Sequence, residues 1–140
     1  MIDFGINENH QMIRDMVREF AAKEVAPGAM ERDENGTFPM DLVKKLGELG
    51  MMGVTVPEKF GGASLDVTSL VTVIEELARH DGSLALTLAS HIGLCCGHIN
   101  LAASDALKEK YLHLLLPCRH LLSLRSQTQQ AYVFLNLKLH

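Results

Sequence analysis

Three side chains that could bind a metal stand close together in the segment SLALTLASHIGLCCGHI. His91, Cys95 and His98 are separated by four and three residues, so all three could project from one face of a helix. Imidazole and thiolate are ligands that zinc prefers. The set lacks a fourth ligand at metal-site spacing, and its surroundings are apolar. We therefore expect no metal site and interpret these side chains as core or pocket lining.

Charged pairs and serines offer a second kind of chemistry. Glu75-Glu76 and Arg79-His80-Asp81 could provide acid–base groups if they were partly buried and brought together. The alternative, which we favour, is that they are solvated charges at helix ends. Ser83, Ser90 and Ser104 lack the G-x-S-x-G context of an activated serine, and the first and last stand where helix N-caps belong. The sequence therefore assigns no catalytic residue.

A pair of glycines, Gly61 and Gly62, lies in VPEKFGGASLD, residues 56–66, which we call the glycine loop. A phosphate-binding loop would need G-x-G-x-x-G spacing or a Gly-Lys-Ser/Thr ending, and a preceding strand. None of these features is present. We expect a turn in which the glycines allow a positive φ or a close backbone approach between two packed helices.

The elements that must position these residues are helical. Apolar positions recur at three- and four-residue steps in residues 7–26, 39–50, 66–78, 83–99 and 104–116. The first helix is expected to end at Pro27-Gly28 and to be followed by a polar loop, ERDENG. Asp66 is expected to cap the third helix. The pattern predicts an all-α fold, an up-and-down bundle of about five helices, with no strand before residue 117.

The apolar stripes of these helices predict which side chains are buried. The segment 83–99 carries no formal charge, so we expect a helix that is covered on most sides. The expected core residues of the second, third and fifth helices are Leu42, Val43, Leu46 and Leu49; Val67, Leu70, Val71, Ile74, Leu77 and Ala78; and Leu107, Tyr111, Leu112 and Leu115.

Composition excludes several classes of function. The 140 residues include 13 basic and 17 acidic side chains, 5% aromatic residues and no Trp, which argues against a nucleic-acid surface. Three cysteines form no disulfide framework and indicate a reducing compartment. The N-terminus lacks signal-peptide features, and no uninterrupted apolar run is long enough to span a bilayer. We therefore expect a cytoplasmic protein without a membrane span.

The last 24 residues differ from the rest of the chain. Residues 117–140 carry three basic and no acidic side chains, and AYVFLNLKLH alternates with the period of a strand. We divide the chain into a helical domain, residues 1–116, and a divergent or frameshifted tail, residues 117–140. The change of composition at Pro117 favours a lost reading frame as the origin of the tail.

Several phrases together resemble the N-terminal helical domain of the flavin-dependent acyl-CoA dehydrogenase family. They are HQMIRDMVREFAAKEVAP, FPMDLVKKLGELGMMGVTVPEKFGG, VIEELARHDGSLALTLASH and KEKYL, in family order and at family-like spacing. The resemblance covers about residues 3–116. It implies an enzyme family with three domains, usually tetrameric, in which FAD accepts a hydride from the β-carbon of an acyl-CoA while a C-terminal glutamate removes the α-proton.

The resemblance reaches only the first of those three domains. The family's flavin lies between the middle and C-terminal domains, and after Lys-Tyr-Leu the family pattern is replaced by PCRHLLSLRSQTQQ. We therefore expect an N-terminal fragment that lacks the catalytic base and most of the flavin site and is inactive alone. FAD, the acyl-CoA substrate, a homo-oligomer and electron-transfer flavoprotein as partner are implied for the intact enzyme. The alternative is a free-standing all-helical binding or assembly module.

The resemblance also implies a role for the fourth helix, which forms one wall of the acyl pocket in the family. Leu86, Ser90 and Leu94 fall at or beside the matching positions and, being four residues apart, share one face. Ligand sites are mostly apolar, as this set is. The alternative is that these residues only pack against neighbouring helices.

Overall fold

The computed structural model describes residues 5–116, and all regular secondary structure in this part of the chain is helical, with no strand. The helices are α1 (Glu8–Phe20), α2 (Ala29–Asn35), α3 (Met40–Glu48), α4 (Val67–Ala78), α5 (Gly82–Ala89), α6 (Gly97–Ala102) and α7 (Asp105–Leu115). A π-helical turn, Ala21–Val25, continues α1, and a second, Ser90–Cys96, joins α5 to α6. The long first helix, α3, α4, the joined helix Gly82–Ala102 and α7 confirm the predicted bundle of about five helices. The tail expected at residues 117–140 lies outside the described residues.

The chain stays helical beyond Pro27, where we predicted a polar loop. A 3₁₀ turn, Ala26–Gly28, leads directly into α2, which contains most of that predicted loop. Proline is tolerated at the start of a helical turn because the amide hydrogen it lacks would have no partner there. The carbonyl of Val25 accepts a hydrogen bond from Arg32 Nη2 at 2.7 Å, which ties the two helices together. Gly36, with φ of 61°, ends α2.

Two aspartates begin helices, and only the first of them, Asp66, was predicted as a cap. Asp66 Oδ1 accepts a hydrogen bond from the Ser69 amide at 2.8 Å and caps α4. Asp81 Oδ1 accepts from the Leu84 amide at 2.9 Å and caps α5. Ser83 therefore lies inside the first turn of α5 and is not its cap, contrary to our expectation.

The helices enclose two groups of buried apolar side chains. The larger group joins α1, α3, α4 and α5, and it includes Ile13, Val17, Ala21, Val25, Leu42, Val43, Leu46, Val73, Leu77, Leu84 and Leu88. The smaller group joins the glycine loop to the second half of helix Gly82–Ala102 and to α7, and it consists of Val56, Phe60, Cys95, Cys96, Leu112, Leu115 and Leu116. Helix Gly82–Ala102 contributes to both groups and so links them.

Several residues that we placed in the core are exposed. The prediction was wrong for Leu49, Val67, Val71 and Leu107, which are 39%, 68%, 56% and 46% exposed, and for Ala78, which is also exposed. In α4 the reason is that Thr72 and Glu76 face inward, and they are 3% and 1% exposed. The face of α4 that the bundle buries is therefore rotated around the helix axis, away from the apolar stripe that the sequence pattern indicated.

Helix Gly82–Ala102 is covered on one side, although we expected it to be covered on most sides. Leu84, Leu88 and Ile92 are buried, whereas Leu86 and Leu94 are 67% and 47% exposed. Its 21 residues make it, among the described residues, the one helix long and apolar enough to cross a membrane by length and composition. The helix extends beyond residues 83–99, and the absence of a membrane span stays a prediction. The core helix of a soluble protein passes the same test.

Candidate functional site

The three predicted pocket residues lie on the uncovered side of helix Gly82–Ala102. Leu86 and Leu94 are largely exposed, and Ser90 between them is half-buried. We call Leu86, Ser90 and Leu94 the apolar face. Its side chains can bind an apolar group by contact, and among the three only the Ser90 hydroxyl can form a hydrogen bond. The assignment of these residues to an acyl pocket stays a prediction.

A π turn lies within the apolar face. The amide of Gly97 donates its hydrogen bond to the carbonyl of Ile92, five residues earlier, where an α-helix would use a residue four earlier. Residues five apart are therefore brought above one another on the buried side of the helix. His91 Nε2 and Cys96 Sγ, which are five apart, lie 3.5 Å from each other.

This geometry separates the residues that we considered as metal ligands. His91 and Cys95 are buried, whereas His98 is exposed and donates from Nδ1 to the Leu94 carbonyl at 2.7 Å. Among the residues that the structure describes, no group of three or more His, Cys, Asp or Glu side chains is placed to hold a metal ion. The α-helical spacing that put the three on one face does not apply inside a π turn.

Burial controls the protonation of this cluster. Removal from water lowers the pKa of His91 to about 4, so the imidazole is neutral at physiological pH. Its Nδ1 atom makes no hydrogen bond of regular geometry, and the nearby Leu115 backbone opposes the fall of the pKa only in part. A hydrogen bond with Cys96 lowers the pKa of the Cys95 thiol, while burial acts in the opposite direction. We interpret this group as part of the smaller core.

The carboxylate of Glu76, which we expected in solvent, is buried between α1 and α4. Arg18 donates to it from Nε at 3.0 Å and from Nη2 at 2.9 Å. The Nε atoms of Arg14 and Arg79 lie 3.6 and 3.5 Å from its oxygens. The hydrogen bonds from Arg18 are the main cause that lowers the pKa of Glu76. A carboxylate surrounded by three guanidinium groups stays ionised near neutral pH, so its role is structural.

A histidine that our sequence argument did not consider joins the N-terminal ends of α1 and α4. The buried His10 accepts a hydrogen bond at Nδ1 from the Asn7 amide at 3.2 Å and donates from Nε2 to Asp66 at 2.8 Å. Asp66 also accepts from the Ser69 amide and hydroxyl, and these bonds with that from His10 lower its pKa to about 2. Further along the same interface between α1 and α4 lie Arg14 and Arg18, four residues apart on α1, and the buried Glu76 of α4.

The charges near Asp81 are also paired. Asp81 is joined to Arg32 Nη2 at 3.0 Å, and the two side chains are only 10% and 16% exposed. They form part of the lining of a cavity of about 210 Å³ beside Phe38. Asp81 is therefore a partly buried, paired charge and not the solvated helix-end charge that we expected. Ser104, in contrast, is the N-cap residue of α7, as predicted.

The glycine loop is a turn, as predicted, and each glycine has one of the two predicted roles. Gly61 has a φ of 87°. A Cβ atom on Gly62 would lie 2.0 Å from the carbonyl oxygen of Val56. The close approach is thus made within the loop and not between two packed helices, which corrects our expectation.

The amides of this loop also bear on cofactor binding. The Gly61 amide donates to the Glu58 carbonyl at 2.8 Å, and the Gly62 amide donates to the Pro57 carbonyl at 3.2 Å. A pyrophosphate group needs backbone amides that point outward from the loop. Because both glycine amides are used inside the turn, the loop does not fit the pyrophosphate of FAD.

Comparison with known proteins identifies relatives of the N-terminal helical region. The family model "Acyl-CoA dehydrogenase, N-terminal domain" matches residues 7–117. A short-chain specific acyl-CoA dehydrogenase of Clostridium acetobutylicum is 42% identical over 111 residues, which are 79% of this chain and 29% of the relative. The chain therefore spans less than a third of the length of that relative.

Solved structures give the same result. The butyryl-CoA dehydrogenase of Megasphaera elsdenii superposes with a TM-score of 0.77 and 34% identity, over 83% of this chain and 31% of the other. A chain in a structure titled as the electron transferring flavoprotein of Acidaminococcus fermentans has a TM-score of 0.81 and 38% identity, over 86% of this chain and 32% of the other.

Proposed function

Because this chain belongs to the acyl-CoA dehydrogenase family, we propose that its helical domain forms one wall of the acyl-CoA pocket of such an enzyme. The reaction would be α,β-dehydrogenation of an acyl-CoA thioester, with FAD accepting the hydride. The observation that carries the proposal is the apolar face: Leu86 and Leu94 are exposed in a helix whose other side is fully packed. We also propose that residues 1–116 form this helical domain and that residues 117–140 are a separate tail.

Exposed leucines on a packed helix are what a pocket wall requires. Leu86 and Leu94 would contact the hydrocarbon part of the acyl group, and Ser90 would add one polar group between them. The buried partners on the opposite side, including Leu88 and Ile92, hold the helix in place. A wall built in this way has its shape set before a ligand binds.

FAD is the redox cofactor that we propose for the intact enzyme. The glycine loop does not fit its pyrophosphate, so the cofactor would be held by other parts of the protein. Electron-transfer flavoprotein is the proposed electron acceptor, supported by the A. fermentans structure whose title names it. A cytoplasmic location and assembly into a homo-oligomer complete the proposal.

A second candidate is a free-standing helical module that binds an acyl group or a partner chain. The observation in its favour is that residues 5–116 contain a core of their own, with side-chain caps on α1, α4 and α5. Such a module would use the same apolar face but would need no flavin.

An NMR titration of the 140-residue chain tests the proposed site. With ¹³C-labelled leucine methyl groups, butyryl-CoA is expected to shift the signals of Leu86 and Leu94, and free CoA is not. The buried Leu88 is the internal control. A butyryl-CoA response that free CoA reproduces, or none at either leucine, would contradict the pocket assignment.

An activity assay separates the enzyme part from the binding module. We expect no reduction of added FAD by butyryl-CoA under anaerobic conditions, because the catalytic base of the family lies in a domain that this chain does not resemble. Flavin reduction by the chain alone would overturn this expectation.

A further inference from the structure

In a regular α-helix the exposed leucines would share one broad face but would not lie in line along the axis. Leu86 and Leu94 are eight residues apart, and at about 100° per residue they would lie about 80° apart around the axis. The π turn Ser90–Cys96 covers the stretch between Ser90 and Leu94. A turn closed over five residues rotates less at each residue, so Leu94 returns toward the line of Leu86. Leu101, seven residues further along, is also exposed, at 85%.

Two contacts on the buried side maintain the turn. The Gly97 amide is bonded to the Ile92 carbonyl, and a Cβ atom at position 97 would lie 3.1 Å from that same oxygen. This separation is tighter than ordinary van der Waals contact, so glycine is the residue that leaves the carbonyl in place. His91 and Cys96, both fully buried, pair at 3.5 Å across the same five-residue interval.

We propose that the π turn Ser90–Cys96 sets the register of the apolar face and that Gly97 is its positioning residue. Without the turn, the helix would carry Leu94 around its axis, away from Leu86, and the apolar strip would run obliquely around the helix. The use of this strip for an acyl group rests on the proposed function, whereas the register itself does not.

The helix offers a matched pair of variants for the test. Gly97→Ala places a Cβ against the Ile92 carbonyl, whereas Gly93→Ala places one where no atom lies within 4 Å. Both changes replace glycine by alanine in the same helix, so the gain in helix propensity is the same. Any difference between them therefore comes from the contact at position 97.

The direct measurement is the scalar coupling across the hydrogen bond, between the amide nitrogen of residue 97 and a carbonyl carbon. In the unmodified chain and in Gly93→Ala we expect coupling to residue 92. In Gly97→Ala we expect this coupling to be lost and coupling to residue 93 to appear. Coupling to residue 93 in the unmodified chain would overturn the proposal even if Gly97→Ala did not fold.

The second measurement follows the position of Leu94. With a soluble paramagnetic agent, the relaxation of the Leu94 methyl groups is expected to change in Gly97→Ala and to stay unchanged in Gly93→Ala, while Leu86 is unaffected in both. The response of Leu94 to butyryl-CoA should be lost only in Gly97→Ala. If coupling moves to residue 93 but Leu94 behaves as before, the turn does not position the face and the proposal is wrong. If butyryl-CoA affects neither leucine in the unmodified chain, the proposed function is wrong. The scalar coupling and the paramagnetic relaxation would still test whether the π turn positions Leu94, because neither measurement needs a ligand.

Discussion

The α1–α4 interface and the apolar face use residue types in opposite ways. At the interface, the charged Glu76 is 1% exposed and lies among Arg14, Arg18 and Arg79. On the apolar face, Leu86 and Leu94 are left in contact with water. In the first region polar side chains stabilise the fold, and in the second apolar side chains are available for binding.

The difference shows that residue type alone does not separate structural from functional positions. A buried carboxylate is tolerated only when its hydrogen bonds and charge are satisfied, so removal of one partner is costly. An exposed leucine contributes little to stability until something covers it. Burial and partners, more than polarity, therefore indicate which residues hold the fold and which are free to bind.

The largest effect expected from a polar side chain is at the interface. Glu76→Ala should lower the free energy of unfolding by about 2 to 3 kcal/mol, because it removes a buried carboxylate that binds three arginines. The loss stays at the lower end for a buried ion pair because Arg18 and Arg79 are 51% and 55% exposed and water can solvate them. Urea denaturation followed by circular dichroism measures the change. Glu75→Ala is the control: Glu75 is 49% exposed, and its loss should cost less than about 1 kcal/mol. Equal losses of stability in the two variants would contradict the argument that the buried Glu76 stabilises the fold more than the exposed Glu75.

The next effect compares two glycines. Gly62→Ala should destabilise the protein by about 2 kcal/mol, because the new Cβ would overlap the Val56 carbonyl and force the backbone apart. Gly93→Ala, beside the apolar face, meets no atom within 4 Å and should stabilise the helix by up to about 1 kcal/mol. Thermal unfolding of both variants gives the comparison. A Gly62→Ala protein as stable as the parent would contradict the packing argument.

Local sequence signals predicted the helices and some of their ends. Asp66 is a cap and Gly61 has a positive φ, as predicted, because each of these roles depends on a few neighbouring residues. The continuation through Pro27 was missed because it depends on Arg32, which reaches back from the next helix.

Partners distant in sequence explain the errors in the core. We expected Val71 to be buried and Glu76 to be in solvent. In the structure Val71 is exposed and Glu76 is buried, because the arginines of α1 pair with Glu76. The π turn could not be predicted from an α-helical spacing, and it separated the supposed ligands His91 and His98. The apolar face was named by resemblance. Its exposure was not foreseen, because an uncharged helix has the same sequence pattern whether one side or all sides are covered.

A smaller effect depends on pH and concerns Asp66. Its pKa falls to about 2 from an ordinary 3.8, so the folded state binds fewer protons than the unfolded state between these values. The stabilisation from Asp66 is thus fully present above about pH 4 and is lost as the pH falls toward 2. Asp66→Asn keeps a helix cap but removes the titration. Because the side chain is 57% exposed, the effect at pH 7 should be below about 1 kcal/mol.

Urea denaturation at pH 7, 4 and 3 measures this effect. The variant should lose less stability than the parent as the pH falls from 4 to 3. The lowered pKa of Glu76 acts in the same direction in both proteins, so some acid sensitivity should remain. An unchanged pH dependence in the variant would show that the hydrogen bonds to Asp66 contribute nothing to acid stability.

The smallest effect on stability is expected on the apolar face, where the effect on binding should be largest. Leu86→Ser and Leu94→Ser should change the free energy of unfolding by less than about 0.5 kcal/mol, because both side chains already contact water. Leu88→Ala, in the same helix but fully buried, should cost about 2 to 5 kcal/mol. The two serine variants together should also weaken self-association and the binding of an apolar dye, which sedimentation and fluorescence measure, because exposed apolar surface drives both. A Leu86→Ser or Leu94→Ser protein as unstable as Leu88→Ala would mean that the leucine packs within the domain, and the apolar face would then not be available as a pocket wall.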